Sequence, residues 1–342
     1  MERKNAVMNM MLGLGTIFLI VSLALKNTVA GEAMARLVVP VLCGGLGYLM
    51  GEKKKKSFGK KYILPYFAFA LLYTVMIAIL FFARKNGYDG TNLQIHVWQF
   101  ANCNIEGCLW ILLDLGVAAG IYRVLRRATG TVCTAVLSIV FHIAACLMTG
   151  LFSKASAVGI NFGGYILLLG VALWRAMSYL LFLWIGDMAA KATASLAKKL
   201  GKKILLGFVF TIAAVAILIV TLNLKNRVPY FRTYFDTKSL FFGAAGIYQL
   251  AGICMIIGGT FIFDWIGKMS LLEFIGENMV VPIATISNFY VLTLAEKLAQ
   301  KIFILFDNNF LTALTEIVVI VVIEGAGMFI FALLKKKVWK EV

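Results

Sequence analysis

Residues 204–224 read ILLGFVFTIAAVAILIVTLNL, without one Asp, Glu, Lys or Arg, between Lys202-Lys203 and Lys225. A helix needs about twenty apolar residues to cross the hydrocarbon core of a bilayer. This block supplies them, and its lysines lie where the water begins. Similar blocks fill the rest of the chain, at about 6–25, 35–50, 62–83, 108–125, 131–151, 163–185, 240–263, 271–294 and 311–334. Of the 342 residues, 61% are hydrophobic and 14% are charged, whereas a soluble domain averages about 25% charged. No barrel-type alternation is present, and helices are then the structure that satisfies the backbone inside lipid. The expectation is an all-α integral membrane protein, a bundle of about ten transmembrane helices. Residues 1–342 form one transmembrane domain, with no soluble domain and no linker.

The net charge of +17 does not point to nucleic acid, because the basic residues stand in short clusters between the apolar blocks. With the N-terminus inside, the inner segments carry about 21 Lys and Arg and the outer segments about 11. That bias predicts both termini in the cytoplasm, in the plasma membrane. Thr28-Val29-Ala30 loosely resembles a signal cleavage site, but the long first block and the spans behind it favour a retained helix. Two polar stretches, 187–203 and 296–309, read as interfacial helices; in the first, Ala189, Ala192, Leu196 and Leu200 line one side. Cys43-Gly44-Gly45-Leu46-Gly47 is a small-residue run suited to close helix contact. Cys43, Cys133, Cys146 and Cys254 fall in apolar blocks, and Cys103 and Cys108 lie at an outer loop where a disulfide is an open alternative. No Cys/His cluster has metal-ligand spacing, so no metal is expected.

Charges within spans are costly and default to a functional hypothesis. Asp114, Arg175, Glu316 and Glu324 are such charges. Arg175 is expected to face the bundle interior and to pair with Asp114 or with Glu324, as a structural clasp or as part of a substrate site. His142 lies in the apolar run Val140-Phe141-His142, where a packed, hydrogen-bonded role competes with a general base. Asp114, His142 and Arg175 are thus the catalytic candidates. His96 lies in a loop, and Asn278 in Gly276-Glu277-Asn278 reads as local backbone bonding at a helix start. No Ser-His-Asp order, nucleotide loop or paired-carboxylate motif is present.

Leu46-Gly47-Tyr48, then Lys53-Lys54-Lys55-Lys56, then Ile63-Leu64-Pro65-Tyr66-Phe67 resembles the acyltransferase 3 family of membrane proteins, nearest its fucose 4-O-acetylase-like branch. Leu109-Trp110-Ile111-Leu112 is similar to that family's Leu-Trp-Phe-Leu element. Phe274-Ile275-Gly276-Glu277-Asn278 is similar to its Ile-Gly-x-Asn/Ser element, with Ile266-Gly267-Lys268-Met269-Ser270-Leu271 as a second register. The resemblance covers about residues 37–295. It implies an O-acyltransferase moving an acetyl or other acyl group from acyl-CoA, as co-substrate, to a hydroxyl of a cell-surface glycan or lipid-linked sugar. No bound cofactor is implied. Phosphates of an acyl-CoA entering from the cytoplasm need cations, and Lys60, Lys61 and Tyr66 are the donor-binding candidates. The sequence departs from the family at its three histidine positions, reading Leu23-Ala24-Leu25-Lys26-Asn27, Arg36-Leu37-Val38-Val39-Pro40 and Ala284-Thr285-Ile286-Ser287. Two alternatives therefore stand beside the enzyme: a non-catalytic relative that binds or helps export a glycan, and a secondary transporter.

Overall fold

The computed structural model describes residues 2–25, 28–50, 59–83, 90–101, 107–157, 173, 175–197, 199–224, 247–303 and 309–338. Among them every regular element is helical. The elements are α1 (Glu2–Ala24), α2 (Val29–Gly47), a π-helical turn (Gly59–Ile63), α3 (Leu64–Phe82), α4 (Gly90–Ala101), α5 (Trp110–Ala157) and α6 (Leu180–Ser195). They continue with α7 (Leu200–Leu224), α8 (Ile247–Ile266), α9 (Ser270–Glu277), α10 (Val280–Thr285), α11 (Val291–Phe303) and α12 (Asn309–Val338). Seven described segments are long and apolar enough to cross a membrane: Glu2–Ala24, Val29–Gly47, Lys61–Phe82, Trp110–Ala144, Leu200–Leu222, Gln249–Ile266 and Leu311–Lys335. The chain is a helical membrane protein. The lysine run 53–56, Cys103, residues 163–172 of the sixth apolar block and the loop 225–246 lie outside the described residues.

Local chemistry sets the helix ends. Thr28 caps α2, its hydroxyl accepting from the Gly31 N–H at 3.0 Å. Pro65 stands in the first turn of α3, where a missing N–H costs nothing. Gly130, at φ 74°, breaks α5 into two helices directly after Arg126 and Arg127.

α1 and α2 form the centre. Val7, Met10, Met11, Leu12, Val38, Val41 and Leu42 have no exposed or almost no exposed surface. α3, α7 and α12 turn apolar faces outward, with Leu72, Ile79, Ile212 and Val322 exposed. Such a belt is a liability in water and the required surface in lipid. Polar residues mark the ends. Arg3 of α1 and Lys203 of α7 both pair with Asp264 of α8, so the starts of α1 and α7 meet the end of α8.

Glycines govern the central crossings. A Cβ on Gly47 would strike the Leu183 carbonyl, and one on Gly186 the Gly44 carbonyl, so α2 and α6 cross backbone to backbone. α1 and α9 cross in the same way, Gly13 over Leu272 and Gly276 over Asn9. Close approach lets dispersion contacts accumulate where lipid provides no hydrophobic drive.

Two expectations need correction. Residues 187–203 are not one interfacial helix. α6 continues through Asp187 to Ser195, the chain turns at 196–197, and α7 starts at Leu200. Asp187 is buried, 1% exposed, and Ala189 and Ala190 pack inward with it. The continuous span expected at 271–294 is three short helices. Pro282 has no N–H for the Asn278 carbonyl, which takes the Val281 N–H at 3.0 Å instead. Tyr290, with φ 61°, then turns the chain again through the left-handed region.

The crossings give a direct expectation. Gly276→Val should destabilise the protein by about 3 kcal/mol or more, because the obstacle is the α1 backbone and cannot move aside. Gly120→Ala, with open space around its Cβ, should be neutral or stabilising by about 0.5–1 kcal/mol. Thermal unfolding monitored by size-exclusion chromatography in detergent checks both.

Candidate functional site

Trp110 and Asp114 are one helical turn apart at the start of α5, and Arg175 lies in the helical segment leading into α6. Asp114 is 0% and Arg175 1% exposed. The Arg175 Nε–H donates to Asp114 Oδ2 at 2.7 Å, and the guanidinium carbon lies 4.4 Å from the centre of the Trp110 ring. The face of the ring is negative, so one cation serves two partners. Arg175 thus takes Asp114, not Glu324, as its acid. Tyr179 and Cys43 are close enough to feel the Asp114 charge. Trp110 Nε1, Asp114 Oδ1 and the Tyr179 hydroxyl are buried polar atoms without a hydrogen-bond partner among the described residues. They leave one N–H donor, one carboxylate acceptor and one hydroxyl around the ion pair.

His142, on the second half of α5, joins three helices. Its Nδ1 is 2.7 Å from the Ser178 carbonyl oxygen and its Nε2 is 2.5 Å from the Gln249 side-chain oxygen. A carbonyl can only accept, so Nδ1 donates to Ser178. Nε2 of the neutral ring then accepts, and Gln249 serves it by donating through its carboxamide N–H, the side-chain oxygen and nitrogen being interchangeable by a turn of the amide. The ring also stands edge-on to Phe182 at 5.5 Å. Both nitrogens are engaged, and the histidine serves as a fastener between α5, α6 and α8.

A second cluster lies at the π-helical turn. Tyr62 and Tyr66 are fully buried, and Ile63 fills the notch left by Gly116 of α5. Lys61 lies 5.4 Å from the Tyr62 ring centre. Glu277, at the end of α9, attracts both Lys61 and Lys335 of α12, and the two lysines repel one another. The Asn9 amide of α1 donates to Glu277 Oε1 at 2.9 Å. The side chain of Lys60 lies outside the described residues. Gly116 and Asp114 are about 200° apart around α5, so this cluster and the Asp114–Arg175 pair flank that helix on opposite sides.

Other sites are now placed. Asn278 closes α9 rather than opening a helix, its amide donating to the Phe274 carbonyl at 2.9 Å. His96 stands edge-on to Tyr73 at 5.4 Å. Glu324 meets Thr285. Asp187 takes hydrogen bonds from the Tyr122 hydroxyl and Arg126 Nε, both at 3.1 Å. The amphipathic pattern around Asp187 concealed this buried role, because partners on α5 leave no trace in local spacing. Asn9 gave no sequence signal at all. Among the described residues no group of three or more His, Cys, Asp or Glu could hold a metal ion.

Comparisons with protein-family models, with curated proteins and with solved structures find no match for this chain.

A buried ion pair is worth little against an apolar replacement but is costly to halve. Asp114→Ala should therefore lower stability by about 3–5 kcal/mol, by leaving Arg175 charged and buried. The double variant Asp114→Leu with Arg175→Met should recover most of that loss. A double-mutant cycle on thermal unfolding in nanodiscs measures it.

Proposed function

We propose that the chain is an integral membrane O-acyltransferase of the acyltransferase 3 type. It takes an acyl group from acyl-CoA at the cytoplasmic face of the plasma membrane and gives it to a hydroxyl of a cell-surface glycan or lipid-linked sugar. One observation carries this reading. Described parts of the three stretches bearing the resemblance, far apart in sequence, are linked by packing and by charge. The π-helical turn and the start of α3 pack on the 109–116 stretch of α5 through Ile63 and Gly116. Lys61 feels the charge of Glu277 of the 274–278 stretch, which itself lies on α1. Segments that share a task have a reason to meet; unrelated topogenic segments have none.

In this reading Lys61 and Lys335 meet the phosphates of the donor, and Tyr66 shapes the buried wall beside them. Glu277 is the carboxylate within that cluster and is held by Asn9. It takes the proton from the acceptor hydroxyl as the new C–O ester bond forms and the C–S bond breaks, and the proton passes to the departing thiolate. This assignment supplies the base that the absent histidines do not.

The ten-span arrangement with both termini inside belongs to the same proposal. The meeting of Arg3, Lys203 and Asp264 supports it, because the starts of the first and seventh spans and the end of the eighth share one face under that count. Cysteines placed at Lys55, Lys202 and Lys337 are expected to react with a membrane-impermeant maleimide in inside-out vesicles and not in right-side-out ones. Reaction of any two from opposite faces ends this topology.

The non-catalytic reading draws on a different observation. None of the three family histidine positions carries a histidine, and both nitrogens of His142 are already engaged. Purified protein with radiolabelled acetyl-CoA and a glycan extract separates the two. Losing one charge-assisted phosphate contact costs about 1.5–3 kcal/mol, so Lys61→Gln and Lys335→Gln should each weaken acyl-CoA binding at least about tenfold. Glu277→Gln should abolish turnover and leave binding in place. Wild-type protein that binds no acyl-CoA at low salt sinks the enzyme reading and favours the binding or export role.

A further inference from the structure

Glu324 stands near the middle of α12, which runs Asn309–Val338, and is 1% exposed. Ile320, Glu324 and Met328 form its inward stripe, whereas Val321, Val322, Phe329 and Ile330 face outward. Apart from the Thr285 hydroxyl, the neighbours named for that stripe are apolar. Ile20 of α1, Ile286 just after α10, and Ala295 with Leu292 of α11 pack against Ile320. The ionisable residues of the packed elements lie elsewhere. α1 carries Glu2, Arg3 and Lys4 at its start, and α10 carries none. α11 carries Glu296, Lys297 and Lys301, but turns Ala295 and Ala299 inward. On α12 itself Glu316 is two turns away and Lys335 three, about 12 and 16 Å along the axis.

The hydrogen count at Glu324 is informative. Thr285 Oγ1 lies 2.8 Å from the Val281 carbonyl oxygen and 2.8 Å from each carboxyl oxygen of Glu324. A hydroxyl has one hydrogen to donate. If Glu324 is ionised, a carboxylate deep in the bundle shares that hydrogen with a backbone carbonyl, and no ion pair joins it among the described residues. If Glu324 carries a proton, two hydrogens serve these contacts in place of one: the carboxylic acid donates to Thr285 Oγ1, and Thr285 donates to the Val281 carbonyl. Thr285 is the last residue of α10, at the edge of the broken stretch 286–290. Irregular backbone at membrane depth is tolerated where it is packed in protein or lines a cavity, and interrupted helices there are characteristic of ion sites.

We propose that Glu324 is a membrane-embedded proton-binding site. Its carboxyl holds a proton donated to Thr285, and loss of that proton loosens the contact between α12 and the broken segment after α10. The ligand is the proton itself, exchanged with water through the break at 286–290. The site is separate from the Lys61–Glu277 cluster and does not depend on acyl transfer.

Infrared difference spectra of wild type against Glu324→Gln, in lipid from pH 5 to pH 9, test it. At pH 7 wild type should show the carbonyl stretch of a protonated carboxylic acid that E324Q lacks. The band should shift in D2O and fade toward high pH. A difference spectrum containing only ionised carboxylate bands at pH 7, or an acid band that never exchanges in D2O, overturns the proposal. Should E324Q not fold, Glu324→Asp keeps the acid and shortens its reach. It should move the same band, and a spectrum unchanged by E324D counts against the site equally.

Discussion

Hydrocarbon offers no hydrogen-bond partner, and that one constraint organises this protein. A polar group carried into the bundle is costly unless it meets a partner there. Arg175 finds Asp114 and the face of Trp110. His142 finds Ser178 and Gln249, and Asp187 finds Tyr122 and Arg126. Each bond joins different helices, so the polar residues that are costly to insert also fix which helices are neighbours and at what height. The apolar belt outside them is permissive; many sequences would satisfy it.

Close backbone contact does the complementary work. The α2–α6 and α1–α9 crossings bring chains together at points where only a glycine fits. The polar pairs then need reach only short distances. Asn9 meets Glu277 because Gly13 and Gly276 let α1 settle onto α9. That contact in turn holds Glu277 where Lys61 and Lys335 feel its charge. The place of Glu277 in the cationic cluster thus rests on the glycine crossing beside it.

The stretch 270–303 combines these themes. An unbroken helix would have placed it among the ordinary spans. Pro282 and the left-handed Tyr290 divide it, and the division puts Glu277 at one helix end and Thr285 at another. The carboxyl of Glu277 and the Thr285 hydroxyl that meets Glu324 thereby lie at ends of interrupted helices, where backbone groups are unpaired and rearrangement is cheapest.

Hydropathy alone determined that this chain is helical and lives in a membrane, because the length and purity of its apolar blocks leave no other way to satisfy a backbone in lipid. The turn at Gly130 was legible in Arg126-Arg127 and the glycine behind them, and the role of Gly44 and Gly47 in the small-residue run. The inward face of Arg175 was legible too, since an arginine at that depth cannot meet acyl chains. Its choice of Asp114 over Glu324 was not, nor were the burial of Asp187, the bond from Asn9 or the break at 286–290. Those depend on which helices touch. Contact is decided by the packing of all the helices together, and the periodicity of any one helix records only that a face is apolar, not what lies across from it.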